Sequence, residues 1–275
     1  MTDGLTSIVV LTKDRLDLTK RCVESVIRNT EISFEWIFVD NASKDNTIEY
    51  LQTVENAKVI QNSENKGFAA GCNQGMAVAK GKYIVLLNND TIVTPGWLSN
   101  LHKWLKKIPS AGIVGPVSNV VAPIQRVNDF VYQSLEELNA YAEKRAELFK
   151  DKGFYPHRLT GLCMLFPVEL VNRIGGMDER FFPGNYEDDD FCIRARISGY
   201  TLWVAQDVFI YHEGHGTFGG RDISYKLSSL QNAEKFRQKW SIGQSAFEID
   251  QLGYNPSDIV AREMHFIPSR HVEKI

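Results

Sequence analysis

Trp36-Ile37-Phe38-Val39-Asp40-Asn41-Ala42-Ser43 reads as a short apolar run that stops at a polar pair, and Tyr83-Ile84-Val85-Leu86-Leu87-Asn88-Asn89-Asp90 repeats that pattern. Unbroken apolar runs of this length, without polar alternation, predict strands buried on both faces. Ser7 to Leu11 and Lys58 to Gln61 extend the series on either side. Between the runs lie helical patterns. Leu18, Cys22, Val23, Val26 and Ile27 form one stripe, and Ala69 to Ala79 is a helix of small residues. Ser43 is a suitable N-cap for a helix to about Thr53. Thr94 followed by Pro95 predicts the start of a helix carrying Trp97, Leu98, Leu101, Trp104 and Leu105. Repeated strand–helix–strand units predict an α/β fold with a central, mostly parallel sheet flanked by helices. Ligands of such sheets gather at strand carboxyl ends, where Thr12, Asp40 and Asp90 all fall.

The second half is less regular. Ser134 with Glu137 matches a capping box for a helix to about Lys150. Leu162 to Pro167 reads as a strand, and Val168 to Ile174 as a short helix stopped by Gly175-Gly176. Asp188 to Ile197 reads as a helix, Thr201 to Val204 and Val208 to Tyr211 as short strands, and Ser224 to Trp240 as a long helix. With no linker or repeat, residues 1–243 are expected to form one domain, divided into a ligand-binding half, 1–115, and a catalytic half, 116–243. A C-terminal tail, 244–275, follows.

Composition narrows the function classes. At 43% hydrophobic residues a sizeable core can form, and a net charge of -3 gives no bulk attraction to nucleic acid or anionic lipid. No apolar stretch approaches the roughly 20 residues of a transmembrane helix, which leaves peripheral membrane contact open. Ile8 to Leu11 is too short for a signal-peptide core. The four cysteines form no C-x-x-C pair, so free thiols and a cytoplasmic location are expected.

Several segments have the residue types for chemistry. Asp40 and Asn41, with capping assigned to Ser43, are free to bind a ribose or base. Within Asn65 to Gly75, including Lys66, Gly67 and Asn73, small residues coincide with a helix start. They suit either close approach of an anion to the backbone or tight packing of the helix on the sheet. No Walker loop or G-x-G-x-x-G occurs. Asn88-Asn89-Asp90 offers one acid for a hard divalent cation, and His212 is a candidate second ligand, beside Gly214, His215 and Gly216. Imidazole favours Mn²⁺ over Mg²⁺. Glu187-Asp188-Asp189-Asp190 places four carboxylates in a first helical turn, where the helix dipole offers each only about 0.3–1 kcal/mol. Asp190 is spaced to pair with Arg194, and another of the four is a candidate general base.

These segments, in this order, resemble the inverting GT-A-fold family 2 glycosyltransferases, which use nucleotide-diphosphate sugars. The resemblance runs from about residue 5 to 240 and also takes in Gly175-Gly176-Met177-Asp178-Glu179. Phe181 to Asp190 and Asp207 to His212 are most similar to bacterial members acting on flagellin and other proteins, many with UDP-GlcNAc. It implies that Asp40, Asn41 and Thr12 contact the nucleotide, with Lys66, Gly67, Asn73 and Asn89 completing the donor site. Asp90 and His212 would hold Mn²⁺ or Mg²⁺, and Asp188, beside Glu187, would deprotonate a hydroxyl of a protein or glycan acceptor. Register leaves Glu187 and Asp189 as alternatives for the base. Two features depart from the family: Lys13 stands where a tyrosine is usual, and the insert from about Val120 to His157 has no recognisable motif. Two other functions share the strand-end acids. A sugar nucleotidyltransferase would need glycines absent from Leu11 to Arg15, and a catalytically silent binding module would be expected to lack Asp90 or the Glu187-Asp188 pair.

Overall fold

The structure is a computed structural model that describes residues 2–214 and 223–241. His215, Gly216 and the expected tail, 244–275, lie outside the described residues. Strands β1 (Thr2–Thr12), β2 (Phe34–Asp40), β3 (Ala57–Gln61) and β4 (Gly81–Asn88) alternate with helices α1 (Leu16–Asn29), α2 (Thr47–Leu51) and α3 (Phe68–Ala77). The chain continues through β5 (Thr91–Val93), α4 (Trp97–Lys107), β6 (Ala111–Val117), α5 (Leu135–Leu148), β7 (Gly153–Phe154), β8 (Cys163–Pro167) and α6 (Val168–Ile174). It then forms α7 (Glu187–Ile197), β9 (Thr201–His212) and α8 (Ile223–Trp240).

The sheet order is β3-β2-β1-β4-β8-β6-β9-β5, with β7 also paired to β9. The four strands β3, β2, β1 and β4 are mutually parallel, as their apolar runs predict. Beyond β4 the sheet is mixed: β8 runs antiparallel to β4 and β6, and β9 is parallel to β6 but antiparallel to β5. The parallel expectation therefore holds for the first half and yields to a mixed sheet in the second.

Alternation along β1 divides the core. Val9 faces one layer with Cys72 and Met76 of α3 and Phe191 of α7, whereas Ile8 and Val10 face Cys22 and Val26 of α1 and Trp97 of α4. The two expected short strands at 201–211 are one strand, β9. Its register jumps from Pro116–Ala205 to Val117–Phe209, so Gln206, Asp207 and Val208 bulge from the ladder, which explains the polar break in the pattern.

Two expected caps are corrected. Helix α2 begins at Thr47, where Asp45 accepts from the Thr47 N–H at 3.1 Å, while Ser43 Oγ accepts from the Asp14 N–H at 2.7 Å. Helix α4 begins after Gly96, and Thr94 Oγ1 donates to the Phe209 carbonyl at 2.6 Å, which binds the turn to β9.

For the small residues of α3, packing on the sheet decides two positions. A Cβ at Gly75 would lie 2.3 Å from Val9 Cγ1, and one at Gly71 would lie 2.3 Å from Leu11 Cδ1. Val9 is buried and stiff at χ1, so it cannot turn aside. Gly75→Ala is expected to destabilise the fold by about 1–3 kcal/mol, read as a lower urea midpoint at unchanged slope. A wild-type midpoint would contradict this packing.

Candidate active site

The parallel register fixes where the polar strand ends meet. Thr12 lies opposite Asp40, and Leu11 opposite Asn88, so the loops leaving β1, β2 and β4 emerge together. They border a cleft of about 450 Å³. Thr12, Lys13, Asn41, Asn89, Asp90 and His212 line it from the sheet, and Glu187 and Asp188 line it from the first turn of α7. Val120, Val121, Ala122 and Arg126, at the start of the insert, also line it.

Asp90 and His212 meet because Thr91 of β5 is paired with His212 at the end of β9. His212 Nε2 lies 3.1 Å from Asp90 Oδ1. Its Nδ1 donates to the Val120 carbonyl at 2.6 Å, which directs Nε2 at the carboxylate. Burial lowers the His212 pKa, but the hydrogen bond and charge of Asp90 outweigh it, and the net shift is upward. An imidazolium satisfies this geometry, and so does a cation shared by the imidazole lone pair and the carboxylate. Among the described residues no group of three or more His, Cys, Asp or Glu side chains is placed to hold a metal. Two protein donors fit an ion that takes its remaining ligands from phosphate and water.

The acidic run separates by residue. Glu187 is buried, with Oε2 lacking a partner among the described residues, and burial followed by the nearby Asp188 charge raises its pKa well above the usual carboxyl range. Asp188 accepts from the N–H groups of Gly161 and Asp189, both at 2.9 Å. Asp189 is not among the cleft-lining residues and accepts two hydrogen bonds from Arg158 Nη1, at 2.9 and 2.7 Å. Burial pushes its pKa up, against the pull of Arg158. Asp190 is fully buried and takes a 2.8 Å bond from Arg194, as its spacing predicts.

The sequence model of Glycosyl transferase family 2 matches residues 7–165. The chain belongs to glycosyl transferase family 2. An uncharacterized Sinorhizobium fredii protein, y4gI, is 25% identical over 92% of the chain, which spans only 29% of that relative's length. The fold is similar to the crystal structure of GalNAc-T7 with UDP, GalNAc and Mn²⁺, with a TM-score of 0.66 and 17% identity over 86% of this chain and 49% of that one. It is also similar to the mannosyltransferase PcManGT from Pyrobaculum calidifontis in complex with GDP-Man and Mn²⁺. There the TM-score is 0.62 at 17% identity, over 97% of this chain and 71% of that one. These likenesses identify the fold as GT-A, a mixed α/β sheet flanked by helices. No helix among the described residues is long and apolar enough to cross a membrane.

Not every residue expected at the donor site of a family 2 enzyme reaches the cleft. The Asp40 carboxylate is not left free: it is fully buried and accepts from Thr12 Oγ1 at 3.0 Å, from the Ser43 N–H at 2.9 Å and from Ser43 Oγ. Asn41 does line the cleft, but its amide donates to the Gly67 carbonyl at 3.0 Å and accepts from Asn62 at 2.9 Å. Lys66 points to Glu64 on the surface. At the start of α3, the N–H of Gly67 donates to Asn65 Oδ1 at 2.9 Å and that of Phe68 to the Pro183 carbonyl at 2.8 Å, so protein acceptors take two of the groups an anion would use. Gly67 still lines the cleft; a Cβ there would lie 2.8 Å from Phe182 Cδ2, so a side chain, not a ligand, makes the close approach.

Asn73 is a clamp. Its amide donates to the Met177 carbonyl and to Glu179, both at 2.8 Å, and its oxygen accepts from the Met177 N–H at 2.9 Å. Arg126, Arg158 and Gly161 went unnoticed in the sequence because only folding brings them to α7 and the cleft. Asn73→Ala is expected to lower the unfolding free energy by about 2–3 kcal/mol through its lost buried hydrogen bonds. UDP affinity by calorimetry is expected to stay unchanged, and a large loss of UDP binding at wild-type stability would reverse the assignment.

Proposed function

We propose that the protein is an inverting, metal-assisted glycosyltransferase that moves a hexose, GlcNAc or a close relative, from a UDP-sugar to a hydroxyl of a protein or glycan. The observation that carries this reading is the convergence of the Asp90–His212 pair and Asp188 on one cleft at the strand carboxyl ends. Family membership supports sugar transfer, and the UDP, GDP-Man and Mn²⁺ held by the proteins of similar fold support a nucleotide-sugar donor with a divalent ion. The four free, buried cysteines are consistent with action in the cytoplasm.

In this reading Asp90 and His212 hold Mn²⁺ or Mg²⁺, which supplies charge neutralisation for the diphosphate. Thr12, Asn41 and Asn89 border the nucleotide, with Asp40 acting from beneath by fixing Thr12 and Ser43. Lys13 and Arg126 are cations on the cleft wall, and they suit a dense anion. Asp188 takes the acceptor hydroxyl proton as the oxygen attacks the anomeric carbon. The bond from that carbon to the diphosphate breaks with its electron pair on the leaving oxygen, and attack from the opposite face inverts the configuration.

The contrast within the acidic run favours Asp188 as base. Asp189 is engaged by Arg158 and Asp190 by Arg194, while burial shifts the Glu187 pKa upward and favours its neutral form, suited to donating a hydrogen bond to a sugar oxygen. Asp188→Asn is expected to lower Mn²⁺-dependent UDP release from UDP-GlcNAc by about 10²–10⁴-fold. UDP binding by calorimetry should be retained. Wild-type turnover in the variant would remove Asp188 as the base.

A further inference from the structure

The segment that carries Glu187 and Asp188 is held on both sides by α8, an element outside the cleft and beyond the family match at 7–165. On the amino side, the Asn232 amide, itself fully buried, donates to the carbonyls of Phe181 at 2.8 Å, Phe182 at 3.2 Å and Gly184 at 2.9 Å. This fixes the loop that leads into α7. On the carboxyl side, Asp190 accepts from Lys239 Nζ at 2.7 Å and from Trp240 Nε1 at 2.9 Å on Oδ1, with Arg194 on Oδ2. Lys239 also reaches Asp178 Oδ2 at 2.8 Å. The side chains of Asp190, Arg194 and Lys239 have no solvent exposure. Phe181, Phe236 and Trp240 pack over the junction, with Tyr186 against them.

A buried ion cluster of this kind is a poor means of gaining stability, because desolvation consumes most of the Coulombic attraction. Its strength is geometry: charge-assisted bonds with all partners sequestered define one arrangement. We propose that Lys239, Trp240 and Asn232 are positioning residues, which set the first turn of α7 so that Asp188 meets the acceptor hydroxyl. The inference rests on Asp188 as the base. Placement errors near 1 Å can cost about 10²-fold in rate, so loosening this clamp acts on turnover and leaves donor binding at the strand ends in place.

The test uses the full chain, with UDP-GlcNAc and Mn²⁺, water as acceptor, and UDP release as the readout. Lys239→Met, Trp240→Phe and Asp188→Asn are compared, with Lys239→Arg as the conservative variant. In folded protein, Lys239→Met and Trp240→Phe are expected to lower kcat about tenfold or more, with UDP affinity within about twofold of wild type. Lys239→Arg is expected to recover part of the loss. Should Lys239→Met fail to fold, Trp240→Phe decides alone, since it deletes the indole N–H and keeps an aromatic ring in the same buried place. Full kcat in the folded α8 variants, alongside an inactive Asp188→Asn, overturns the positioning role and leaves the base intact. Full kcat in Asp188→Asn removes the base, and this inference with it. Equal losses of UDP affinity and kcat also overturn it, because the helix would then be supporting the whole cleft.

Discussion

The cleft depends on one pairing, the carboxylate of Asp90 held 3.1 Å from the imidazole of His212. Neither residue reaches that position through its own local structure. The turn after β4 is fastened to α1, where Asn89 donates to Thr19 Oγ1 at 3.0 Å and the Val93 N–H to Ser25 Oγ at 3.1 Å. β9 supplies His212 only because its last residues pair with β5, after a bulge that resets the register against β6. The Val120 carbonyl then fixes the ring, and so the insert becomes part of the site. A carboxylate and an imidazole brought together this way are incomplete as a metal site without phosphate. That incompleteness suits a donor whose leaving group is a diphosphate.

The acidic run resolves the opposite problem, an excess of like charge. Four adjacent carboxylates in one helical turn exceed what a helix dipole can stabilise. Arg158 takes Asp189, and Arg194 with Lys239 takes Asp190, while burial shifts the Glu187 pKa upward. Among the described residues Asp188 takes hydrogen bonds from backbone donors, and it lines the cleft. One sequence feature thus provides a buried charge anchor, a half-buried ion pair, a carboxyl with a raised pKa and a candidate base, and tertiary partners decide which is which.

Much of the fold was legible because β1, β2 and β4 carry uninterrupted apolar runs that suit strands buried on both faces, whereas β3, at the sheet edge, is only partly buried. Thr12, Asn89 and Asp90 were legible by their position at strand ends, and the Asp190–Arg194 pair by its i+4 spacing. β5 was not, because three residues owe their strand form to pairing with β9. The partners of Asp40 and Asn73 were not legible, because a polar side chain at a strand end or inside a helix shows no link to Ser43 or Met177 until these are placed in space. Local sequence likewise gave no sign of Lys239 and Trp240, whose partners lie 49 and 50 residues earlier in the chain at Asp190.

The central claim is that the pair at the cleft floor binds the ion of a nucleotide diphosphate. Crystals grown with UDP and Mn²⁺, measured at a wavelength where manganese scatters anomalously, test it most directly. The account predicts one strong anomalous peak within bonding distance of both Asp90 Oδ1 and His212 Nε2, beside the diphosphate. A peak bound by other residues, or UDP seated in the cleft with Asp90 still paired directly to His212, would contradict it.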